Sequence, residues 1–595
     1  MTTGARRRAG EPAARWRRVA PVAVVLGVAL ALRLLHWAAV RRAPFVAQLV
    51  MDSREYDRWA REIAGGDWLG HEVFFQAPLY PYLLAVIYRL CGHLLDAVYL
   101  IQIACGVAGC HALYRAGWLT AGRRAGLAAA ALAAIYGPFL FYDVQLLKES
   151  LAVSVTSFLL WALAAAWTGR AGAAGAVAEA RSPGVRLWLL AGVLLGVLAL
   201  LRENALLVLP VLLPLAWCAG GGAHRRAAGE GAARAARRSR WAARLPAVLR
   251  SAALVAGVAL VLAPVALRNG LVGGDPLPTT FQGGTNFYIG NNAQADGTYR
   301  PIVPGKQVPE LERREPVRLA EQRLGRPLSP AAVSRYWLGQ GLAWAGAHPG
   351  DFVRLLLRKV GLFWSWYEWP DAVDYYQIRE ESPVFRLPLL EFGGVTLLAA
   401  LGLAWLPRRG LAWSVAPLSA AAMLKAAEPE VDEPRAAELE GVELKEAEPG
   451  ADVVETEAQK GAPERDDLAR RFAPALVFAA GWMASTVVFF LFARYRLPVV
   501  PALLLLAALP VAALLSRVEM AVKAPDEATE PSARSSDAAT GPVVATGRAA
   551  TAASAGTARW WGVTLALALA VAAALALPRL VGFAPRLDLV RFNLA

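Results

Sequence analysis

Cysteine and histidine are scarce in this chain, with four of the first and six of the second in 595 residues. Cys91, Cys105, Cys110 and Cys218 fall in or beside apolar runs without metal-type spacing, which reads as buried small side chains rather than ligands or disulfides. No redox compartment follows from them. The histidines are scattered and form no His-Glu-x-x-His or related cluster. A Walker loop and a GxGxxG opening a helix are also missing, so nucleotide-driven transport and dinucleotide chemistry find no support. Charge is sparse at 18% of residues, against 56% hydrophobic content. That is far more apolar surface than one soluble core needs, and an all-helical integral membrane protein is expected.

A helix needs about 20 apolar residues to cross the hydrocarbon core. That length is met or nearly met at 20–41, 94–116, 125–142, 150–168, 251–267, 386–406, 472–493, 498–516 and 560–580. The run 187–218 can hold two short helices. It is broken by Leu201-Arg-Glu-Asn204, and adjacent charges at mid-membrane are costly, so a hairpin with its turn at one face is expected. The weaker piece 411–424 is either a span or an interfacial segment, giving 11 or 12 spans. The N-terminal run shows no small-residue cleavage site and reads as the first anchor.

The net charge of +15 raises nucleic-acid binding, but the arginines are placed as topology signals. Arg6 to Arg8, Arg15 to Arg18, Arg123-Arg124, the 225–250 cluster and Arg408-Arg409 all suit one side, the cytoplasm, under the positive-inside rule. The N-terminus is then cytoplasmic, and 42–78, 143–149, the Arg202 turn and the long 268–385 loop lie outside. The expected organisation is a core over 1–424 with those outer loops, an insertion at 425–469, a spanning hairpin at 470–517, a linker at 518–558 and a last spanning helix with its tail at 559–595. The insertion carries 15 acidic against 5 basic residues and should stay disordered or loosely helical in the cytoplasm.

The outer segments hold the polar chemistry. Asp52 directly follows the first span, where a carboxylate can meet both a lipid-anchored substrate and an aqueous acceptor. Asp52-Ser-Arg-Glu55 also fits a helix-capping pattern. The turn Phe141 to Ser150 sets Asp143, Lys148 and Glu149 between two spans, where carboxylates could bind a divalent ion and the lysine a phosphate, or where all three anchor the interface. Arg494 and Arg496 flank Tyr495 at another junction, as phosphate clamps or as snorkelling side chains, and Arg202 is a third basic candidate. Gly283 to Tyr299 combines amides, glycines and rings, as polyol recognition does and as a glycine-rich turn with Asn caps also would. Further on, Phe363-Trp-Ser-Trp-Tyr-Glu-Trp-Pro-Asp371 crowds aromatics around Glu368.

Taken in order, these motifs resemble the GT-C superfamily of polytopic glycosyltransferases, in particular the bacterial family 39-like group related to protein O-mannosyltransferases and lipid A aminoarabinose transferases. The resemblance spans most of the chain and rests on Asp52-Ser-x-x-Tyr56, Gln76-Ala-Pro-Leu-Tyr-Pro81, the turn from Tyr142-Asp143 to Lys148-Glu149, Asn286-Phe-Tyr-Ile-Gly-Asn291, Tyr367-Glu368-Trp-Pro-Asp371 and Arg494-Tyr-Arg-Leu-Pro498. It implies a GT-C-type bundle that passes a sugar, with inversion, from a polyprenyl-phosphate carrier to a protein, lipid or glycan acceptor at the outer face of the cytoplasmic membrane. Asp52 would be the catalytic base, with Asp143 and Glu149 as supporting acids. Lys148, Arg202, Arg494 and Arg496 would hold the donor phosphate, and Tyr56, Asn286, Tyr288, Asn291 and Glu368 the sugar or acceptor. Ser53 stands where relatives often carry Glu, which leaves the metal unknown, a divalent Mg or Mn ion included. The acidic insertion departs from the family pattern. A transporter or flippase for a lipid-linked glycan is the alternative from another class, although no internal duplication supports it. A non-catalytic assembly scaffold draws only on the insertion.

Overall fold

The computed structural model describes residues 4–43, 46, 48–169, 183–219, 240–306, 308–371, 373–406 and 468–523. The acidic insertion up to residue 467, the piece 411–424, the linker from 524 and the final apolar run lie outside the described residues. Within them every regular element is helical. The chain runs through α1 (Gly4–Val40), α2 (Met51–Ala64), α3 (Leu79–Cys91), α4 (Leu95–Ala121), α5 (Arg123–Ala134), α6 (Gly137–Asp143), α7 (Glu149–Thr168) and α8 (Pro183–Ala199). A 3-10 turn, Glu203–Val208, leads into α9 (Leu209–Cys218) and α10 (Arg240–Gly273). The outer loop contributes α11 (Gly283–Gly290), α12 (Pro309–Leu324), α13 (Pro330–Ala347), α14 (Pro349–Phe363) and α15 (Tyr375–Glu381), and the described chain closes with α16 (Phe392–Trp405), α17 (Ala473–Val487), α18 (Ala493–Arg496) and α19 (Val500–Lys523).

Among the described residues five stretches are long and apolar enough to cross a membrane: Val19–Val40, Leu95–Ala121, Glu149–Thr168, Arg244–Gly273 and Ala493–Ser516. Five shorter apolar helical stretches, Leu79–Cys91, Gly184–Ala199, Glu203–Cys218, Phe392–Trp405 and Ala473–Val487, join them in one bundle. In it α4 packs on α5 and α7, α8 on α7 and α10, and α19 on α5 and α16. Small residues permit the closest crossing, because a Cβ on Gly192 of α8 would sit 2.1 Å from the Leu254 carbonyl oxygen of α10. Membrane helices lack a hydrophobic force between them and pack through such small-residue contacts.

The structure departs from the expected elements in several places. The run 125–142 is not one helix but breaks at Ile135-Tyr136 into α5 and α6. Pro138 follows Gly137, and a proline starts a helix more readily than it continues one. The freed backbone is satisfied from another segment, with Gly137 N–H donating to Leu390 O at 2.8 Å and Leu390 N–H to Ile135 O at 2.9 Å. The expected turn at Leu201 to Asn204 is present after the end of α8, and α8 and α9 each pack on α10. Leu79–Cys91, read only as an aromatic interface at its start, is a helix, and α19 runs on to Lys523 into the stretch assigned to the linker. Of the four free cysteines Cys110 is buried, whereas Cys91 and Cys218 are exposed.

Candidate active site

Three polar segments separated widely in sequence meet at Arg494. Its Nη2 donates to Asp52 Oδ2 at 2.7 Å and also pairs with Asp371, while its Nη1 lies 3.9 Å from Glu149 Oε1. Gln76 Nε2 approaches the other Asp52 oxygen at 3.4 Å. Asp52 is therefore not a helix cap. The residue before α2 is Val50, with no side-chain capping bond, and Asp52 sits in the first turn with its carboxylate turned to Arg494. Met51 between them has φ 48°, a left-handed conformation that is costly for a side chain of this size. Strain of that kind persists where surrounding contacts over-determine it, and here it lies next to the acid.

The second half of the site is cationic. Arg202 pairs with Glu149, and its guanidinium lies 4.5 Å from the Tyr495 ring. The Lys148 side chain is buried and makes no hydrogen bond or ion pair among the described residues; its Nζ lies 5.9 Å from the Tyr56 ring. It immediately precedes α7, whose N-terminal amides favour an anion. Burial lowers the Lys148 pKa first, with Arg202 adding to the fall and Glu203, Glu149 and Asp52 opposing it. Nε of Arg202, Nε of Arg494 and Oε2 of Glu149 are buried without a hydrogen-bond partner among the described residues. Buried polar atoms are nearly always satisfied, so unused guanidinium donors and an unpaired lysine make a donor set suited to an anion.

The two acids on Arg494 behave as a pair. Burial pushes Asp52 up, but Arg494, Lys148 and Arg202 together outweigh it and hold the carboxyl below its ordinary value. Burial pushes Asp371 up to about 6, helped by Asp52 and Glu149 and resisted by Arg494 and Arg202. Coupled carboxylates titrate as a unit. Asp371, Gln76 and Glu203 are the residues that sequence reasoning missed. Asp371 and Gln76 stood inside quoted motifs, so the signal was present, but nothing local says that Asp371 rather than Glu368 of the same segment reaches the site. Glu203 accepts from Gln282 Nε2 at 2.8 Å and Thr280 Oγ1 at 3.2 Å and so ties the outer loop to the Arg202 turn.

Several expected site residues are engaged elsewhere. Arg496 donates to the Phe363, Ser365 and Tyr367 carbonyls, pairs with Glu368 at 3.0 Å and lies 3.8 Å from the Phe392 ring. It braces the 363–368 segment with Glu368 as its counter-ion, and Arg496 Nε and Glu368 Oε1 have no hydrogen-bond partner among the described residues. Asn291 gives its amide hydrogens to Phe287 O and Val488 O and accepts from Lys359, so it is tied into the fold. Tyr288 packs at a tilt against Trp337, ring centroids 4.7 Å apart, in a small core of the outer loop. Tyr56 is 1% exposed and packs edge-on to Tyr80 at 5.4 Å, so it supports Lys148 rather than facing a sugar. Asn286 lines an open cleft beside α11, and a Cβ on Gly290 of that helix would fall 2.4 Å from Phe489 O.

Asp143 is closed as well, with Oδ2 taking Arg33 Nε at 2.7 Å and Oδ1 taking Ser150. Asp143 and Glu149 thus answer to different cations, and no three His, Cys, Asp or Glu side chains converge as metal ligands among the described residues. The acids nearest Asp52 converge on a guanidinium instead, so the residues do not fit a metal centre. The bracing assignment carries its own test. Arg496→Gln should destabilise the protein by roughly 3–5 kcal/mol, the cost of stranding a buried partner charge, and this is read as an earlier thermal transition in detergent. Donor affinity of the folded fraction should be little changed.

Residues 76–227 match the family model described as dolichyl-phosphate-mannose-protein mannosyltransferase. That match covers α3 to α9 and therefore Gln76, Lys148, Glu149 and Arg202. Among solved structures, the Archaeoglobus fulgidus oligosaccharyltransferase complexed with Zn and sulfate is 14% identical, with a TM-score of 0.37 over 84% of this chain and 50% of the other. AglB from Archaeoglobus fulgidus, in complex with an inhibitory peptide and a dolichol-phosphate, is 14% identical with a TM-score of 0.39 over 95% and 55%. The chain thus spans about half the length of these structures. No curated protein matches it. The stretch 76–227, which carries Gln76, Lys148, Glu149 and Arg202, is thus similar to the dolichyl-phosphate-mannose-protein mannosyltransferase family.

Proposed function

We propose that the protein is a membrane glycosyltransferase that moves a sugar from a polyprenyl-phosphate carrier to a hydroxyl-bearing protein, lipid or glycan acceptor, with inversion at the anomeric carbon. The observation that carries this reading is the cluster of Lys148, Arg202 and Arg494 beside Asp52, with guanidinium donors left unused. A lipid phosphate is a modest leaving group, and preorganised cations aimed at its developing charge are the largest help a protein can give. The acceptor hydroxyl would form the new bond to the anomeric carbon while its proton passes to Asp52. The bond from that carbon to the phosphate oxygen would break, and the electron pair would leave on the carrier phosphate.

Arg494 links the two halves of this chemistry. A carboxylate held low by an ion pair is a weak base, and a donor phosphate that draws Arg494 to itself loosens that pair. Donor binding would then raise the basicity of Asp52 at the moment it is needed. Asp371 keeps Arg494 between the two acids until the phosphate arrives.

We place the site at the outer face of the cytoplasmic membrane with the N-terminus inside, because the arginine clusters of the short loops suit the cytoplasm. The linker and the insertion then belong to that side. The supporting experiment incubates purified protein in lipid with radiolabelled polyprenyl-phosphate sugars and crude acceptor fractions, and determines the product anomer by NMR. Label transfer with inverted configuration is the expected result; retention would replace single displacement with a double-displacement scheme.

The coupled acids predict a pH profile. Between pH 4 and 6 a proton sits on the Asp52 and Asp371 pair, because the Asp371 carboxyl is raised to about 6. Transfer should therefore fall as pH drops through about 6 and hold above it, and Asp371→Asn should move that limb downward. A profile flat to pH 4.5 in the unmodified enzyme would contradict it.

A further inference from the structure

The turn between α6 and α7 carries Lys148 and Glu149, yet neither side chain fixes where the turn lies. Lys148 has no polar partner of its own among the described residues, and Glu149 is tied at its tip to Arg202 and, more loosely, to Arg494. The backbone of the turn is held instead by Gln102 of α4. That amide is only 1% exposed and belongs to one of the membrane-crossing stretches, where an unpaired amide would be costly.

Nε2 of Gln102 donates to Asp143 O at 3.1 Å and to Gln145 O at 2.9 Å, while its Oε1 accepts from the Tyr80 hydroxyl at 2.6 Å. Carbonyl oxygens only accept, so the partners fix which way the amide faces. The Tyr80 ring in turn packs edge-on against Tyr56, the ring that lies beside Lys148 Nζ. One helical turn beyond Gln102, Gly106 makes room for the same segment, since a Cβ there would fall 2.6 Å from Asp143 Oδ2. This face of α4 is shaped to the turn. A methionine at 102 would fill a similar volume without burying an amide, but it would take the donor away from both carbonyls, the second of them three residues before Lys148.

We propose that Gln102, backed by Tyr80, is a positioning residue that sets the turn from which Lys148 meets the carrier phosphate. The assignment rests on the reading of Lys148 as a phosphate ligand. Its test is a double-mutant cycle on the full-length protein in nanodiscs, with affinity for bare polyprenyl phosphate as the readout. Gln102→Met should weaken that affinity about tenfold, the size of one hydrogen bond's worth of misplacement. In a Lys148→Gln background the same substitution should change it by less than about twofold, because residues that act through one another are not additive. A residue that only steadied the fold would lower the thermal transition instead, and any loss of affinity would be the same with and without Lys148. Tyr80→Phe keeps the ring and removes one hydroxyl, so it tests the same point if Gln102→Met fails to fold; a loss of about threefold is expected, again dependent on Lys148.

Unchanged carrier affinity in Gln102→Met and Tyr80→Phe overturns the proposal, as does a loss of equal size in the presence and absence of Lys148. Label transfer decides the transferase reading separately. A protein that binds bare carrier in the expected pattern but never passes on a sugar would sink that reading while leaving Gln102 as assigned. One that transfers sugar, with Gln102→Met at unmodified affinity, would sink the positioning role alone.

Discussion

Asp52→Asn should lower transfer by about 10²–10⁴-fold, the contribution typical of a positioned general base, while the protein stays folded and still binds its donor. The argument is geometric. Asp52 is the one acid that touches both Arg494 and Gln76, at the junction of α2 with the cationic half of the site. Asparagine keeps the shape and can still accept from Arg494, so the bundle should tolerate it, but it cannot take a proton. Since Val50 rather than Asp52 precedes the helix without any capping bond, loss of activity cannot be ascribed to a lost cap. Single-turnover transfer and donor binding, measured on the same preparation, check this. Near-normal turnover would remove Asp52 from the chemistry.

Arg494→Gln should have the next largest effect, a fall of about 10²–10³-fold in donor kcat/KM, the range seen when one charge-stabilising donor is removed from a transition state. Its signature separates it from general damage. Without the guanidinium, Asp52 and Asp371 face one another unscreened, and like charges raise each other's pKa. The acid limb of the pH profile should therefore move up in this variant, opposite in direction to the shift expected for Asp371→Asn. Acceptor KM should be little affected. If Arg494→Gln leaves donor kinetics and the acid limb where they were, the residue is a structural ion pair and the leaving group is stabilised elsewhere.

The fold class was legible because the spans announce themselves. Runs such as 94–116 and 150–168 carry length and composition that a soluble core does not use, and the structure has α4 and α7 there. The break between α5 and α6 was harder to see, because its cause is a Gly-Pro pair inside an apolar run and its compensation comes from Leu390, far along the chain. The site divided along the same line. Asp52, Lys148, Arg202 and Arg494 could be picked out, since each is a charge at the edge of a span, where position alone implies a cost and therefore a use. Partner choice could not be read. Arg494 and Arg496 look equivalent two residues apart, yet one reaches Asp52 and the other is consumed by the carbonyls of Phe363, Ser365 and Tyr367. The same holds for Glu368 and Asp371, and for Asn286 and Asn291. Helical phase and tertiary contacts decide these pairs, and neither is local.

Under the proposed chemistry the carrier loses its sugar at this site instead of crossing the bilayer with it. The most direct measurement follows both products at once in proteoliposomes loaded with doubly labelled polyprenyl-phosphate sugar, with one label on the lipid and one on the sugar. One bare polyprenyl phosphate should form for each sugar passed to acceptor, and both signals should be lost together in Asp52→Asn. Movement of intact sugar-bearing carrier between leaflets, without release of bare polyprenyl phosphate, would contradict it and identify a flippase instead.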